Sequence, residues 1–156
     1  MKKEDVIKVV AITIACLFSY AALSKLADYE KSHGEMMNQV FPGWIAGILA
    51  WIIPAVELIL AILLVIQVTS KKALWASLIL LSLFTVYIAI VMTGVFGRVP
   101  CSCGGILKNM SYGVHLIFNL FFVLLASIGL AIDKGWTGYN RLLNLKKRKD
   151  SIQSSV

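Results

Sequence analysis

The sequence predicts an all-α integral membrane protein, a bundle of four antiparallel transmembrane helices. Hydrophobic residues fill 59% of its 156 positions and the mean hydropathy is +0.83, whereas soluble domains are about 45–50% apolar. Four apolar runs are each long enough to cross a hydrocarbon core of ~30 Å, which takes ~20 helical residues. Backbone groups in lipid find no water to bond, and the runs lack the alternation of barrel strands, so they predict helices.

The four predicted spans lie close together along the chain and form one transmembrane domain, residues 1–140. Lys2 and Lys3 resemble the basic start of a cleaved signal. The first apolar run, however, continues past the roughly 7–15 apolar residues of such a signal, so a retained helix is predicted. The short connection between the second and third spans favours antiparallel neighbours. Residues 141–156 are predicted to be a basic cytoplasmic tail. The helices are expected at about 6–26, 44–67, 73–96 and 112–132.

The distribution of lysine and arginine predicts how the bundle is oriented. If both termini and the turn at Lys71-Lys72 share one side, that side holds eleven of the 15 basic residues. Cytoplasmic segments carry the excess of these residues, so both termini are predicted to be cytoplasmic. The net charge of +7 does not indicate nucleic acid, because the basic residues lie at the ends of apolar runs, without interleaved aromatics. They indicate a lipid bilayer. The other side holds Lys25, Lys31, Arg98 and Lys108.

The connection between the first and second spans, residues 27–43, is predicted to contain a short amphipathic helix on the outer side. Apolar residues recur near its end at spacings of three and four, the pattern of one helical face. Such a helix either anchors the chain at the membrane interface or covers the loop between the third and fourth spans. The residues that carry the pattern are Met36, Met37, Val40, Phe41 and Trp44.

Cys101 and Cys103 lie in a short polar segment between the third and fourth spans, on the side predicted to be extracytoplasmic, where disulfides persist. Bonding residues i and i+2 is feasible but closes a small, strained ring, and strain makes a disulfide exchangeable. Such a local link removes almost no chain entropy, which argues against a structural staple. Thiol–disulfide exchange is therefore the favoured interpretation, and an inert pair is an alternative.

Residues around the two cysteines support a reactive pair. Pro100 and the glycines Gly104 and Gly105 favour a tight turn. The positive charge of Arg98 would favour the thiolate, which is the nucleophilic form. His115, in the first turn of the fourth span, could tune that thiolate or relay a proton. The sequence thus predicts a cysteine pair with charged and titratable residues close to it along the chain.

Metal ligation is the second interpretation of the same residues. Cys101, Cys103 and His115 would supply thiolate and imidazole ligands, and His33 from the first outer connection is a candidate fourth ligand. The spacing of these residues is not that of a familiar zinc site. No metal is therefore assigned, and this ligand set stays an alternative.

Glu57 lies inside the second span, three residues after Pro54. A carboxyl group in the membrane is costly, so it should face the interior of the bundle or be protonated. Pro54 leaves a backbone carbonyl near Ala50 without its usual donor and can kink the helix there. A kink beside an acid favours a small polar cavity for a proton, in which Glu57 would serve as a relay, or for a quinone-like ligand. A hydrogen bond between helices that fixes their packing is the alternative.

The remaining polar residues of the spans are expected to have structural roles. Lys25, at the outer end of the first span, should extend its ammonium group to the interface. Cys16 is expected to be a small residue of the core. Side chains expected to form hydrogen bonds between helices include Ser77, Thr85, Asn119 and Ser127.

Four short motifs follow one another along most of the chain: Ser19-Tyr-Ala-Ala-Leu-Ser-Lys25-Leu, Phe41-Pro42, Pro54-Ala-Val-Glu57-Leu and Cys101-Ser-Cys-Gly-Gly105. In this order they resemble the MauE/DoxX-like family of redox-associated membrane proteins. The resemblance implies a four-helix bundle that matures extracytoplasmic proteins alongside a thioredoxin-like partner. For MauE the protein matured is a disulfide-rich methylamine dehydrogenase subunit, and DoxX-type relatives occur with quinone-linked sulfur oxidation. The chain is also similar in architecture to quinone-coupled disulfide generators, but it lacks their Cys-x-x-Cys and second cysteine pair.

These observations lead to two functional hypotheses. In the first, the protein is a thiol–disulfide oxidoreductase of the bacterial plasma membrane. Cys101 and Cys103 would exchange electrons with an extracytoplasmic thioredoxin-like protein, in support of the maturation of exported proteins. A quinone or another membrane redox protein would restore the pair. In the second, the protein is a non-catalytic membrane assembly factor or scaffold, and its cysteines bind a metal or are inert.

Overall fold

Five helices make up the part of the chain described by this computed structural model, residues 3–95 and 113–132. Four of them, α1, α3, α4 and α5, are long and apolar enough to cross a membrane, which confirms the predicted all-α bundle of four spans. Arg98, Cys101, Cys103 and the predicted tail 141–156 lie outside the described residues. The helices are α1 Lys3–Ala27, α2 Tyr29–Met37, α3 Gly43–Val65, α4 Ser70–Met92 and α5 Gly113–Ile132.

The turn between α3 and α4 is shorter than the sequence suggested. α3 ends at Val65 because Ile66 has extended dihedral angles, φ −76° and ψ 114°. The hydroxyl group of Thr69 donates to the carbonyls of Leu63, at 2.8 Å, and Ile66, at 3.2 Å. These bonds satisfy carbonyls that the end of α3 leaves free. α4 then begins at Ser70, because the polar residues assigned to the turn form its first helical turn.

α4 ends at Met92, earlier than the end expected at residue 96. The backbone N–H groups of Thr93 and Gly94 donate to carbonyls of the last helical turn, at 3.1 and 3.2 Å. Gly94 has a φ of +73°, a left-handed conformation that glycine adopts without steric cost. The glycine therefore terminates the helix, although the residues after it remain apolar.

One half of the bundle is a continuous apolar core. It combines the N-terminal half of α1, the C-terminal half of α3, the N-terminal half of α4 and the C-terminal half of α5, so consecutive spans are antiparallel. Among α1 to α4, the most extensive contact is that between α1 and α3. We refer to this region as the packed half. Its buried residues include Ile14, Phe18, Leu64, Leu74, Ala126 and Leu130.

Gly129 allows α5 to approach α1 and α4 closely within the packed half. A Cβ atom at this position would lie 3.0 Å from Cγ1 of Val10 and 3.2 Å from Cδ2 of Leu74. Lipid tails are as apolar as leucine, so van der Waals contact, rather than escape from water, stabilises such an interface. A glycine at the crossing brings three helices into that contact.

Three hydroxyl residues and Cys16 do not take the roles expected of them. The hydroxyl groups of Ser77, Thr85 and Ser127 donate to the carbonyls four residues earlier in their own helices, at 2.7, 2.7 and 2.8 Å. The prediction of bonds between helices was therefore wrong for these three, since this local acceptor is available in any helix. Cys16 is exposed on the face of α1 that points away from the bundle, because the adjacent Ala15 occupies the core.

Candidate functional site

A cavity of about 500 Å³ occupies the other half of the bundle, which we call the hollow half. Its walls come from the C-terminal half of α1, the middle of α3, the C-terminal half of α4 and the first turns of α5. Met36 of α2, together with residues after α2, closes one side. The lining is mostly apolar, with a minority of polar side chains. The polar residues that line it are Lys25, Gln39, Glu57, Tyr87, His115 and Asn119.

Lys25 and Glu57 form a buried ion pair in this cavity. The Nζ group of Lys25 donates to Oε1 of Glu57 at 2.8 Å and to Oε2 at 2.9 Å. It also donates to the backbone carbonyl of Ala21, at 3.4 Å. The side chains of Lys25 and Glu57 are only 11% and 3% exposed. Desolvation of two charges is compensated only by good geometry, and here each of the three ammonium hydrogens has an acceptor. The pair contributes no net charge.

Lys25, the partner of Glu57, was expected to extend to the membrane interface. Glu57 is 14 residues after the start of α3, ~21 Å along the helix at 1.5 Å per residue, whereas Lys25 is two residues before the end of α1. The helices are therefore staggered, and α3 begins well beyond the end of α1. α2 packs on that stretch of α3, where the rings of Tyr29 and Trp51 lie 4.6 Å apart. Because of this stagger Lys25 is inside the bundle, and the prediction that it extends to the interface was wrong.

A second set of contacts fixes the residues after α2 beside the cavity. The hydroxyl group of Tyr87 donates to Oε1 of Gln39 at 2.6 Å, and Nε2 of Gln39 donates to the carbonyl of Glu35 at 3.3 Å. The rings of Phe41 and Tyr87 stack with centroids 5.4 Å apart. The connection between α1 and α3 thus contains a short helix, as expected. It ends at Met37, earlier than the apolar pattern suggested, so Phe41 lies past its end.

His115 and Asn119 lie one turn apart on the same face of α5 and both line the cavity. They are 9% and 6% exposed. Among residues 3–95 and 113–132, no hydrogen bond joins either side chain to another residue. Buried polar groups normally have partners, and a molecule that enters the cavity could supply them.

The structure brings together two of the residues predicted to be functional, Glu57 and His115. They come from α3 and α5 and line the same cavity. Cys101, Cys103 and Arg98 lie outside the described residues, so their roles stay predictions. Every proton-relay or tuning role assigned to Glu57 and His115 is likewise a prediction, now with a defined location.

His33, the candidate fourth metal ligand, is on α2 and does not line the cavity. Its ring lies 5.7 Å from the ring of Tyr29. In the described part of the chain, no three His, Cys, Asp or Glu side chains are grouped so that they could hold a metal ion. The alternative ligand set of Cys101, Cys103 and His115 includes residues beyond that part and stays a prediction.

Sequence reasoning did not assign Lys25, Gln39, Tyr87 or Asn119 to a functional site. Asn119 was expected only to link helices. A usable signal existed for Lys25, since a lysine and a glutamate that both fall within apolar spans are candidates for pairing. For Gln39 and Tyr87 no signal was available, because their contact joins positions 48 residues apart that no local pattern relates.

The cavity combines titratable groups with a mostly apolar wall. A carboxylate, an ammonium group and an imidazole lie around one space, and the amide group of Asn119 adds two hydrogen-bond donors and an acceptor. A mostly apolar wall with a few polar groups is typical of sites that bind small molecules.

Comparison with known proteins gives a consistent family assignment. The family described as "Methylamine utilisation protein MauE" matches residues 3–132. The chain is 32% identical over 125 residues to the protein named "Methylamine utilization protein MauE" from Paracoccus denitrificans. That match covers 80% of this chain and 66% of the relative, so it spans slightly less than two thirds of the relative's length. No solved structure matches the chain.

Proposed function

Because the chain belongs to the MauE family of bacterial multi-pass membrane proteins, we propose that it serves methylamine utilisation as a membrane thiol–disulfide relay. Cys101 and Cys103 exchange electrons with an extracytoplasmic thioredoxin-like protein, and this exchange supports the maturation of exported proteins. The proposal assigns the redox step to the segment between α4 and α5 and the handling of protons to the cavity of the hollow half.

The observation that supports this proposal is the position of the cavity relative to the cysteines in the chain. The segment that carries them begins after α4 and ends at α5. Tyr87 and Ile88 from the end of α4, and His115 from the start of α5, line the cavity. Both attachment points of the cysteine segment therefore belong to the hollow half, where the acid–base groups are.

The proposed exchange is balanced in electrons and protons. A thiolate of one cysteine attacks one sulfur of the partner's disulfide and forms a mixed disulfide, while the partner's other sulfur leaves as a thiolate that takes up a proton. The second cysteine then displaces the other partner sulfur, so that Cys101 and Cys103 become a disulfide and the partner a dithiol. Two electrons and two protons pass to the partner. The same steps in reverse reduce the pair.

A non-catalytic assembly factor is the second candidate function. The name of the Paracoccus relative refers to a pathway and not to a reaction, which suits a protein that assists the maturation of others. In this case the cysteines would bind a metal or be inert. The two candidates differ in whether the thiols form covalent intermediates.

Trapping of a mixed disulfide tests the relay. Cys101→Ser and Cys103→Ser are expressed separately in the native cells, because replacement of the second cysteine prevents release of the partner. We expect one of the two variants to carry a reductant-sensitive adduct with a thioredoxin-like protein, and the double variant to carry none. Cys16→Ser is the matched control, since this exposed cysteine of α1 should not affect the adduct.

Other results would contradict the relay. If neither single variant forms an adduct, and if the thiol state of extracytoplasmic proteins is the same with and without both cysteines, the proposed exchange does not occur. Labelling of the two thiols that responds to a chelator, and not to a reductant, would favour the metal-binding assembly factor.

A further inference from the structure

The polar groups of the cavity are neutral overall but incompletely satisfied. The charges of Lys25 and Glu57 compensate each other within hydrogen-bond distance. His115 and Asn119 are more than nine-tenths buried, and no hydrogen bond from the described residues reaches their side chains. An ion would find no net charge to bind. A neutral molecule with exposed hydrogen-bond acceptors would find two side chains able to donate.

The shape and lining of the cavity restrict that molecule further. A volume of about 500 Å³ lies within the usual range of sites for small molecules, roughly 300–1,000 Å³. Most lining residues are apolar, for example Leu49, Ile53 and Phe84. The ligand is therefore a molecule of the lipid phase with an apolar body and a few polar atoms. The polar atoms meet α5 on one wall and the ion pair on another.

We infer that this cavity binds the ring of a lipid-soluble quinone. His115 and Asn119 donate hydrogen bonds to a ring carbonyl, and the apolar wall accommodates the start of the isoprenoid tail. This inference deepens the proposed relay and rests on it for the function of the quinone. Reduction of one quinone to a quinol takes two electrons and two protons, and oxidation of the Cys101 and Cys103 dithiol to a disulfide releases the same number.

Equilibrium binding of decylubiquinone tests the inference. The full-length protein is placed in lipid nanodiscs, and protein-free nanodiscs correct for partition into lipid. We expect saturable binding by the unaltered protein. Asn119→Leu should raise the Kd about tenfold, because a buried polar contact of the bound ring is lost. Ser127→Ala, which removes a polar side chain of the same helix that bonds only to its own helix, should leave the Kd unchanged.

A second variant removes the space and keeps the polar groups. Ala21 lines the cavity, and Ala21→Phe should abolish saturable binding while His115 and Asn119 stay in place. The ligand control is the dimethyl ether of decylubiquinol, which keeps the tail and ring substituents but has methoxy groups in place of the two ring carbonyls. We expect it to bind at least tenfold more weakly. Thermal unfolding of each variant verifies that it is folded.

The outcomes separate this inference from the proposed function. Equal affinity for the dimethyl ether, or an unchanged Kd in both Asn119→Leu and Ala21→Phe, would overturn the quinone site. Loss of the quinone site with mixed disulfides still trapped would leave the relay intact. Saturable, variant-sensitive quinone binding without any trapped adduct would support the site and overturn the relay.

Discussion

The packed half of the bundle is filled by apolar side chains such as Ile14 and Leu64, whereas the hollow half surrounds a cavity of about 500 Å³ with polar residues from four spans. In the packed half, Gly129 brings α5 within contact distance of α1 and α4. In the hollow half, the corresponding links are the Lys25–Glu57 ion pair and the Tyr87–Gln39 hydrogen bond. Each half therefore depends on a different kind of interaction.

This difference between close packing and polar links follows from the lipid that surrounds the helices. Helices in lipid gain little by burying apolar surface against one another, so close packing and polar links are the available sources of stability. A helix pair that leaves space between its side chains forfeits the dispersion contacts across the gap. In the hollow half, polar links replace part of what is lost. Space and buried polar groups occur together, as expected for a binding site.

The largest expected effect concerns the ion pair. Glu57→Leu leaves the ammonium group of Lys25 buried without its counter-charge and should destabilise the protein by roughly 3–5 kcal/mol. The double variant Lys25→Met and Glu57→Leu should recover most of that stability, since no uncompensated charge remains. Reversible unfolding in mixed detergent micelles, followed by circular dichroism, measures both free energies.

Lys8→Met is the matched control for that comparison. Lys8 is an exposed lysine on the same helix as Lys25, and its replacement should change the free energy of unfolding by less than about 0.5 kcal/mol. If the double variant were as unstable as Glu57→Leu, the hollow half would depend on these side chains through packing and not through charge.

The fold of both halves could be predicted more fully than their polar contacts. Span length follows from bilayer thickness, so hydropathy identified all four transmembrane helices. Their ends depend on single residues, and Gly94 terminates α4 although the sequence stays apolar. The cost of a charge in lipid likewise pointed to an interior role for Glu57. Its pairing with Lys25 depends on how far α3 extends beyond α1, which is a tertiary property that no local pattern contains.

The cavity wall formed by α5 likewise depends on tertiary structure that no local sequence pattern predicts. A spacing of four residues places His115 and Asn119 on one helical face, and this can be read from the sequence. The rotation of α5 about its axis decides whether this face meets the cavity, lipid or a neighbouring helix. Close packing around Gly129, at the opposite end of α5, constrains that rotation. Sequence reasoning therefore singled out His115 but not the arrangement that places Asn119 beside it at the cavity.

Insertion of bulk into the packed half should have the next largest effect. Gly129→Leu places a side chain where even a Cβ atom would lie 3.0 Å from Val10, and it should destabilise the bundle by about 3 kcal/mol. Gly113→Leu is the matched control at the start of the same helix, where a Cβ atom would meet no packing neighbour within 4 Å among the described residues. The same unfolding assay applies. Equal effects at the two positions would contradict close packing around Gly129.

The same truncation, isoleucine to alanine, made once in each half compares the two halves directly. Ile14 is fully buried in the packed half, so Ile14→Ala should cost about 2 kcal/mol through the void that it leaves. Ile53 lines the cavity and already lacks neighbours on one side, so Ile53→Ala should cost less than about 1 kcal/mol. The free energies of unfolding of both variants, measured in the same assay, show whether the two costs differ. A cost at Ile53 equal to that at Ile14 would contradict the prediction and would mean that Ile53 is as tightly packed as Ile14.

The smallest expected effect concerns the polar link between α4 and the residues after α2. Tyr87→Phe removes the hydroxyl group that donates to Gln39 at 2.6 Å and keeps the ring that stacks on Phe41. Loss of one such hydrogen bond should cost about 1 kcal/mol. Because the link is local, hydrogen exchange should increase at residues 38–42 while the packed half stays protected. An equal increase around Ile14 would show that the two halves unfold as one unit and that their different contacts do not make them energetically separate.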